Sequence, residues 1–150
     1  MTSGDKVSVT RGGPSKGKRF RWHFDEVSQK IRIENEDRMD LHSYTVEEIQ
    51  AILKTIYREF QQGYFPLANN VQHLRDGTEK MGLGKAILEL KGSTISHAQG
   101  SSYLGVVLEE CGYLLWNGEH KGIQWRLNDT DFDVSKIRSR LRTTNARRPQ

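Results

Sequence analysis

The residues able to do covalent or metal chemistry are few and scattered. His23, His42, His73, His97 and His120 fall on separate stretches, with no His-Glu-x-x-His run, and Cys111 is the only cysteine. Metal sites draw their ligands from short, repeated spacings, so neither a metal nor a cofactor is expected. The serines lack the Gly-x-Ser-x-Gly setting that lifts a nucleophile onto a sharp strand-to-helix turn. Gly77, Gly82 and Gly84 in DGTEKMGLGKAILEL suggest a phosphate loop, but Gly84-Lys85 is followed by Ala86 and the spacing from Gly77 is too long. A phosphate loop needs Gly, four residues, then Gly-Lys and a hydroxyl residue. No enzyme is expected on these grounds, and binding is the chemistry left to explain.

The elements that must position any binding residues can be read from periodicity. Leu104, Val107, Leu108 and Cys111 in SSYLGVVLEEC follow steps of three, four and three, one face of a helix from about His97 to Cys111. Gly112 follows the last apolar position, where a left-handed turn most easily ends a helix. YLLWN and GIQWRL come next, joined by Gly118-Glu119-His120-Lys121, and Ile123, Trp125 and Leu127 alternate with Gln124 and Arg126. That is a β-hairpin with a polar tip.

Upstream, RFRWHFDEVSQKIRIEN offers a second hairpin over residues 19–34. Phe20, Trp22 and Phe24 share one face of its first strand, and Ile31 and Ile33 share one face of its second. The aromatics alternate with Arg19, Arg21 and His23, a pattern that could stack single-stranded nucleic acid. Core packing is the favoured reading, since a lone hairpin is unstable in water. Thr45 and Glu48 make a capping box ahead of Ile49, Ile52, Leu53, Ile56, Tyr57 and Phe60, so a helix is expected over 45–62, ending before Gly63. A short helix is expected from Val71. Another is expected from Leu83 to Leu90, with Lys91-Gly92-Ser93 as the turn before the helix at His97.

At 150 residues the chain suits one globular domain, 19–130, with a flexible basic tail over 1–18 and a basic helix and tail over 131–150. Lys6, Arg11, Lys16 and Lys18 against Asp5 give the first 18 residues +3, and Lys136, Arg138, Arg140, Arg142, Arg147 and Arg148 give residues 135–150 +6. The total is +4, so residues 19–134 carry −5. Basic ends attract nucleic acid without reading its sequence, and they also simply solubilise. In the last stretch Val134, Ile137 and Leu141 fit one apolar face of a short helix whose other sides are Lys136, Arg138, Arg140 and Arg142. An amphipathic basic helix of this kind could lie on phosphates, on a membrane surface or against a partner subunit. Membrane ranks last, because the face is narrow and lacks aromatic anchors. No apolar run reaches membrane-spanning length and the amino end is not signal-like, so a cytoplasmic protein without membrane association is expected. Cys111 is expected to be a small buried hydrophobe in a reducing compartment.

The order of a helix ending Leu-Glu-Glu-Cys-Gly-Tyr-Leu, then Trp116, a glycine-containing loop and Trp-Arg-Leu resembles the recognition helix and wing of the winged helix-turn-helix superfamily. The resemblance covers about the last third of the chain and singles out no family within the superfamily. It implies an α+β fold, a winged helix-turn-helix core over 83–127 with an additional N-terminal β-hairpin and a short basic C-terminal helix. It also implies a duplex-DNA-binding protein, such as a transcriptional regulator. On that reading Gln99, Ser102 and Val106 turn outward, with Gln99 able to pair with adenine and Ser102 with either kind of base edge. His97 and Ser101 belong to the same helix. Ser93 and Thr94 could hold a phosphate at the turn, while His120, Lys121 and Arg126 sit on or near the wing. Arg138 and Arg142 would add backbone contacts. Against this, the helix contains no Lys or Arg, and Glu109 and Glu110 sit near its end. The rival expectation is a protein-interaction or assembly module, with Ala98, Gly105 and Val106 as a smooth outward surface. Dimerisation through the helix from Thr45 to Gln62 would suit either reading.

Overall fold

Alternation of large apolar and charged residues builds the first layer. In a computed structural model that describes residues 6–12 and 17–146, β2 (Arg19–Asp25) buries Phe20, Trp22 and Phe24, and β3 (Lys30–Glu34) buries Ile31 and Ile33. The two strands pair antiparallel, with Trp22 opposite Ile33 and Phe24 opposite Ile31. This is the hairpin expected over 19–34, and its aromatics lie inside the core, where no base could stack on them.

The hairpin is only the middle of a four-stranded antiparallel sheet. β1 (Lys6–Val9) pairs with β2 on one side, and β4 (His42–Thr45) pairs with β3 on the other. The expected flexible tail over 1–18 is thus corrected for part of its length. Thr10 N donates to Lys18 O at 2.9 Å, and the Thr10 hydroxyl accepts from Lys18 N at 2.8 Å, closing the connection to β2. Residues 1–5, 13–16 and 147–150, which include other parts of the expected tails, lie outside the described residues.

Thr45 ends the sheet and starts α1 (Val46–Phe60). Its hydroxyl accepts from Glu48 N at 3.0 Å while the Glu48 carboxylate accepts from Thr45 N at 2.9 Å, the reciprocal capping expected from the sequence. Ile49, Ile52, Leu53 and Ile56 form its buried stripe. The helix stops at Gln61, which takes φ 54°, two residues short of Gly63.

A second layer follows in the order β5 (Phe65–Pro66), α2 (Val71–Asp76), α3 (Leu83–Leu88), α4 (Ile95–Gln99), α5 (Ser101–Glu110), β6 (Leu114–Trp116) and β7 (Gln124–Leu127). Its three strands make an antiparallel sheet in the order β5-β7-β6. Trp125 and Leu127 are buried and Arg126 between them is exposed, as the alternation predicts. In β6 the register turns Leu114 inward and leaves Leu115 exposed and Trp116 half-buried.

α6 (Val134–Ala146) closes the chain against α1 and β2. This helix, expected to lie on phosphates, a membrane surface or a partner, has its apolar face covered by the protein itself, with Ile137 and Leu141 buried. Asn145, also buried, accepts from Phe24 N at 3.0 Å and donates to Trp22 O at 3.2 Å. An unpaired backbone N–H in such a place would be costly, so this one side chain sets the docking of the helix on β2. No helix among the described residues is long and apolar enough to cross a membrane. The fold is α+β, with six helices and two antiparallel sheets in the described residues.

Leu104, Val107, Leu108 and Trp125 share one core with Ile52 and Ile56. Leu108→Ala should destabilise the protein by about 2–5 kcal/mol. A β-carbon at Gly105 would lie 2.4 Å from the Trp125 ring, so Gly105→Ala should cost about 1–3 kcal/mol although alanine is the better helix former. Urea denaturation measures both, and a Gly105→Ala protein as stable as wild type would show that Trp125 does not seat on α5.

Candidate functional site

The helix expected from His97 to Cys111 is interrupted at Gly100. Gly100 N donates to His97 O at 3.2 Å, a tightened turn between α4 and α5. The cause lies across the interface: a β-carbon on Gly100 would lie 2.0 Å from the Tyr44 hydroxyl and 2.8 Å from the His42 ring. Only glycine lets the helix approach β4 this closely.

α5 faces inward nearly all round. Ser101 and Tyr103 to Leu108 are buried, and Tyr103 packs edge-on against Phe20 at 5.1 Å between ring centres. Val106, expected outward, is 1% exposed, and Ala98 is fully buried. The smooth surface expected from Ala98, Gly105 and Val106 exists, but it is filled from within, with Trp125 seated on Gly105 and the four-stranded sheet lying over the helix.

Glu109 and Glu110 hold this arrangement. The Glu110 carboxylate accepts from the Trp22 indole at 2.9 Å and from the Ser8 hydroxyl at 2.6 Å. Glu109 accepts from the Trp125 indole at 3.0 Å and from two guanidinium nitrogens of Arg11, both at 3.0 Å. Arg11 also lies over the Trp116 ring, 4.5 Å from its centre, and its carbonyl oxygen is 2.8 Å from His120 Nδ1. Strand β1, helix α5 and the β6–β7 hairpin therefore meet on two adjacent carboxylates. Charge-assisted and bidentate bonds of this kind are the stronger ones.

The other residues expected to touch DNA fall in several places. Thr94 caps α4, its hydroxyl accepting from His97 N at 3.1 Å, and Ser93 is half-buried in the preceding turn. His97 stacks on Tyr44 with ring centres 4.5 Å apart, and its Nε2 lies 3.0 Å from a Glu48 carboxylate oxygen. That contact holds the Glu48 carboxyl below its ordinary pKa. Ser101, expected on the DNA-facing helix, is fully buried and has no route to a ligand. Lys121 is exposed at the hairpin tip, while Arg126 lies on the outer face of β7 with its guanidinium 5.8 Å from the Tyr64 ring. On α6, Arg138 donates to the Gln29 side chain, and Arg142 grips Glu26 through two bonds of 2.6 and 2.8 Å. Those two cations serve the β2–β3 turn.

Ser93, Thr94 and His97 stay together around the turn into α4. Gln99 and Ser102 come together in a larger cleft, of about 490 Å³, between the start of β2, the loop into β4, the α4–α5 junction and the β6–β7 hairpin. Facing them are Lys18, Arg38 and His42, none of which is among the residues expected to touch DNA through the winged helix. The missed signal was the alternation of His42 with Tyr44 just ahead of the capping box, which marks a strand rather than a loop. Burial, then the nearby His97 and Arg38, lower the His42 pKa from its ordinary 6.5 to about 4, so its ring is neutral at pH 7. Among the described residues no group of three His, Cys, Asp or Glu side chains could hold a metal ion. Comparison with known proteins matched no protein-family model, no curated protein and no solved structure.

Two outcomes follow from this geometry. Glu110→Ala strands the Trp22 indole and the Ser8 hydroxyl without their acceptor, and should cost about 1–3 kcal/mol in chemical denaturation. A loss within about 0.5 kcal/mol, as for an ordinary surface substitution, would contradict the two bonds. The His42 pKa is depressed in the folded state, so its contribution is complete above pH 6.5 and is lost as pH falls from 6.5 towards about 4. Unfolding free energies at pH 7.5 and 5 should differ by about 1–2 kcal/mol more in wild type than in His42→Gln. Equal differences in the two proteins would remove His42 from the account.

Proposed function

We propose that the chain is a binding or assembly module built on a winged-helix core, and that it does not read duplex DNA through its central helix. Support for the core comes from the element order α1, strand β5, the short helices α2 and α3, the two-part helix α4–α5 and the β6–β7 hairpin, with the early strand β5 pairing to the last strand β7. That arrangement resembles a winged helix, with α4–α5 in the place of the recognition helix and β6–β7 as the wing.

The observation that carries the functional reading is what lies on that helix. A major-groove reader must offer base-contacting side chains on an open helix face. Here the body of α5 is covered: Tyr103 meets Phe20, Glu110 meets Trp22 and Ser8 of the molecule's own four-stranded sheet, and Val106 is buried, while Gln99 and Ser102 open onto the cleft. Arg11 also ties the wing into the same contact. The acidic pair that counted against DNA in the sequence has another use, since it fastens that cover down. Arg138 and Arg142, which would have added backbone contacts, are turned to Gln29 and Glu26.

Titration of labelled mixed-sequence duplexes against the purified protein at about 50 and 200 mM salt tests this reading. Any complex at low salt should come from unspecific attraction, should fall away at the higher salt, and should be the same in Gln99→Ala. A duplex held selectively at the higher salt, and lost in Gln99→Ala, would restore the DNA-reading function.

A further inference from the structure

We propose that the cleft between the four-stranded sheet and the α4–α5 junction is a binding site for a small organic anion with an apolar body. Its volume, about 490 Å³, lies in the range of small-molecule sites. Leu41, Leu67, Tyr103 and Ile123 line it with apolar surface, and Gln99 and Ser102 supply hydrogen-bonding groups.

Charge chooses the ligand class. Lys18 and Arg38 line the cleft, and no aspartate or glutamate among the described residues does. Most arginines elsewhere in the protein are matched: Arg11 with Glu109, Arg21 with Glu34, Arg32 with Asp25, Arg142 with Glu26. Neither Lys18 nor Arg38 makes an ion pair with another described residue. Two exposed cations with no ion pair to a described residue, beside a half-enclosed apolar floor, favour a carboxylate, sulfonate or phosphate attached to a ring or chain, since the floor takes the body and the rim takes the charge.

His42 adds a property of the site. Its ring sits in the wall, near Arg38 and His97, and on the other side of the strand Arg32 is paired with Asp25. Burial chiefly keeps the ring neutral, with His97 and Arg38 adding to it. An anion in the cleft would offset that added positive charge, so binding should draw His42 towards protonation. The walls come from separate elements, so an occupant would also hold the sheet, the α4–α5 junction and the hairpin together. The site stands on the cleft itself and is independent of the reading given to the covered helix face.

The probe is 1-anilinonaphthalene-8-sulfonate, an aromatic ring system with one sulfonate, compared with N-phenyl-1-naphthylamine, which has the same ring system and no charge. Fluorescence titration at pH 7 should give one saturable sulfonate site, with the neutral dye at least tenfold weaker. The Lys18→Gln/Arg38→Gln protein should lose at least tenfold in sulfonate affinity, and Ser102→Glu, which adds a carboxylate to the wall, should lose as much. Lys91→Gln/Arg126→Gln removes the same charge elsewhere and should bind as wild type does. Near-ultraviolet circular dichroism shows that each variant is folded. The His42 ring signals should move towards the protonated position on saturation at pH 6. Equal affinity for the two dyes, an unchanged sulfonate affinity in the folded Lys18→Gln/Arg38→Gln protein, an equal loss in Lys91→Gln/Arg126→Gln, or the lack of a saturable site would each overturn the proposal.

Discussion

Two carboxylates one residue apart, Glu109 and Glu110, hold the molecule's two layers together. They project from the last turn of α5 and collect the indole N–H groups of Trp22 and Trp125, the hydroxyl of Ser8 and the guanidinium of Arg11. The partners come from β1 and the segment just after it, from β2 and from β7, three stretches separated in sequence. A buried tryptophan brings a large apolar surface and one N–H that must find an acceptor. The two acids supply an acceptor to each, so Trp22 and Trp125 can both be fully buried. An acceptor lost here leaves a donor stranded, which costs more than the bond itself was worth.

The rest of the architecture follows from how closely α4 and α5 are approached from both sides. Gly105 makes room for Trp125 and Gly100 makes room for Tyr44 and His42, so the helical region is pressed between the hairpin and β4. The same closeness breaks the helix at Gly100. It also leaves the cleft beside Gln99 and Ser102, where the sheet does not reach across to the hairpin. A covered helix and an open cleft are thus two results of one packing arrangement. The function proposed for the chain and the ligand class proposed for the cleft both rest on that arrangement.

Much of the local structure was legible in the sequence. The capping box at Thr45, the stripe from Ile49 to Ile56, the stop at Gly112 and the alternation through Trp125 are short-range signals, and each appears where periodicity places it. The faces were harder. Val106 and Ala98 look outward if α5 is amphipathic, but a helix packed on two sides has no outward face to find by periodicity. Glu109 and Glu110 read as a repulsive end for DNA because their partners Ser8, Arg11 and Trp22 lie about ninety to a hundred residues away, beyond any local pattern. The tail over 1–18 looked flexible on composition, although Lys6–Val9 pairs with β2 through backbone bonds that composition does not report. Of the expected site, Gln99 and Ser102 share the cleft, and the place of Lys18 and Arg38 beside them was not legible because only the tertiary fold brings those loops beside α4.

The most direct test of the account is solvent exchange at the three tryptophan indole N–H groups, followed by NMR on the native protein. Trp22 and Trp125 should exchange slowly, since each donates to a carboxylate from a fully buried ring, while Trp116, half-buried with a long bond of 3.3 Å to Glu119 O, should exchange fast. Glu110→Ala, which leaves the Trp22 indole without its acceptor, should speed exchange at Trp22 and leave Trp125 protected. Fast exchange at Trp22 in the wild-type protein would mean that the sheet is not fastened over α5, and the central claim would fail.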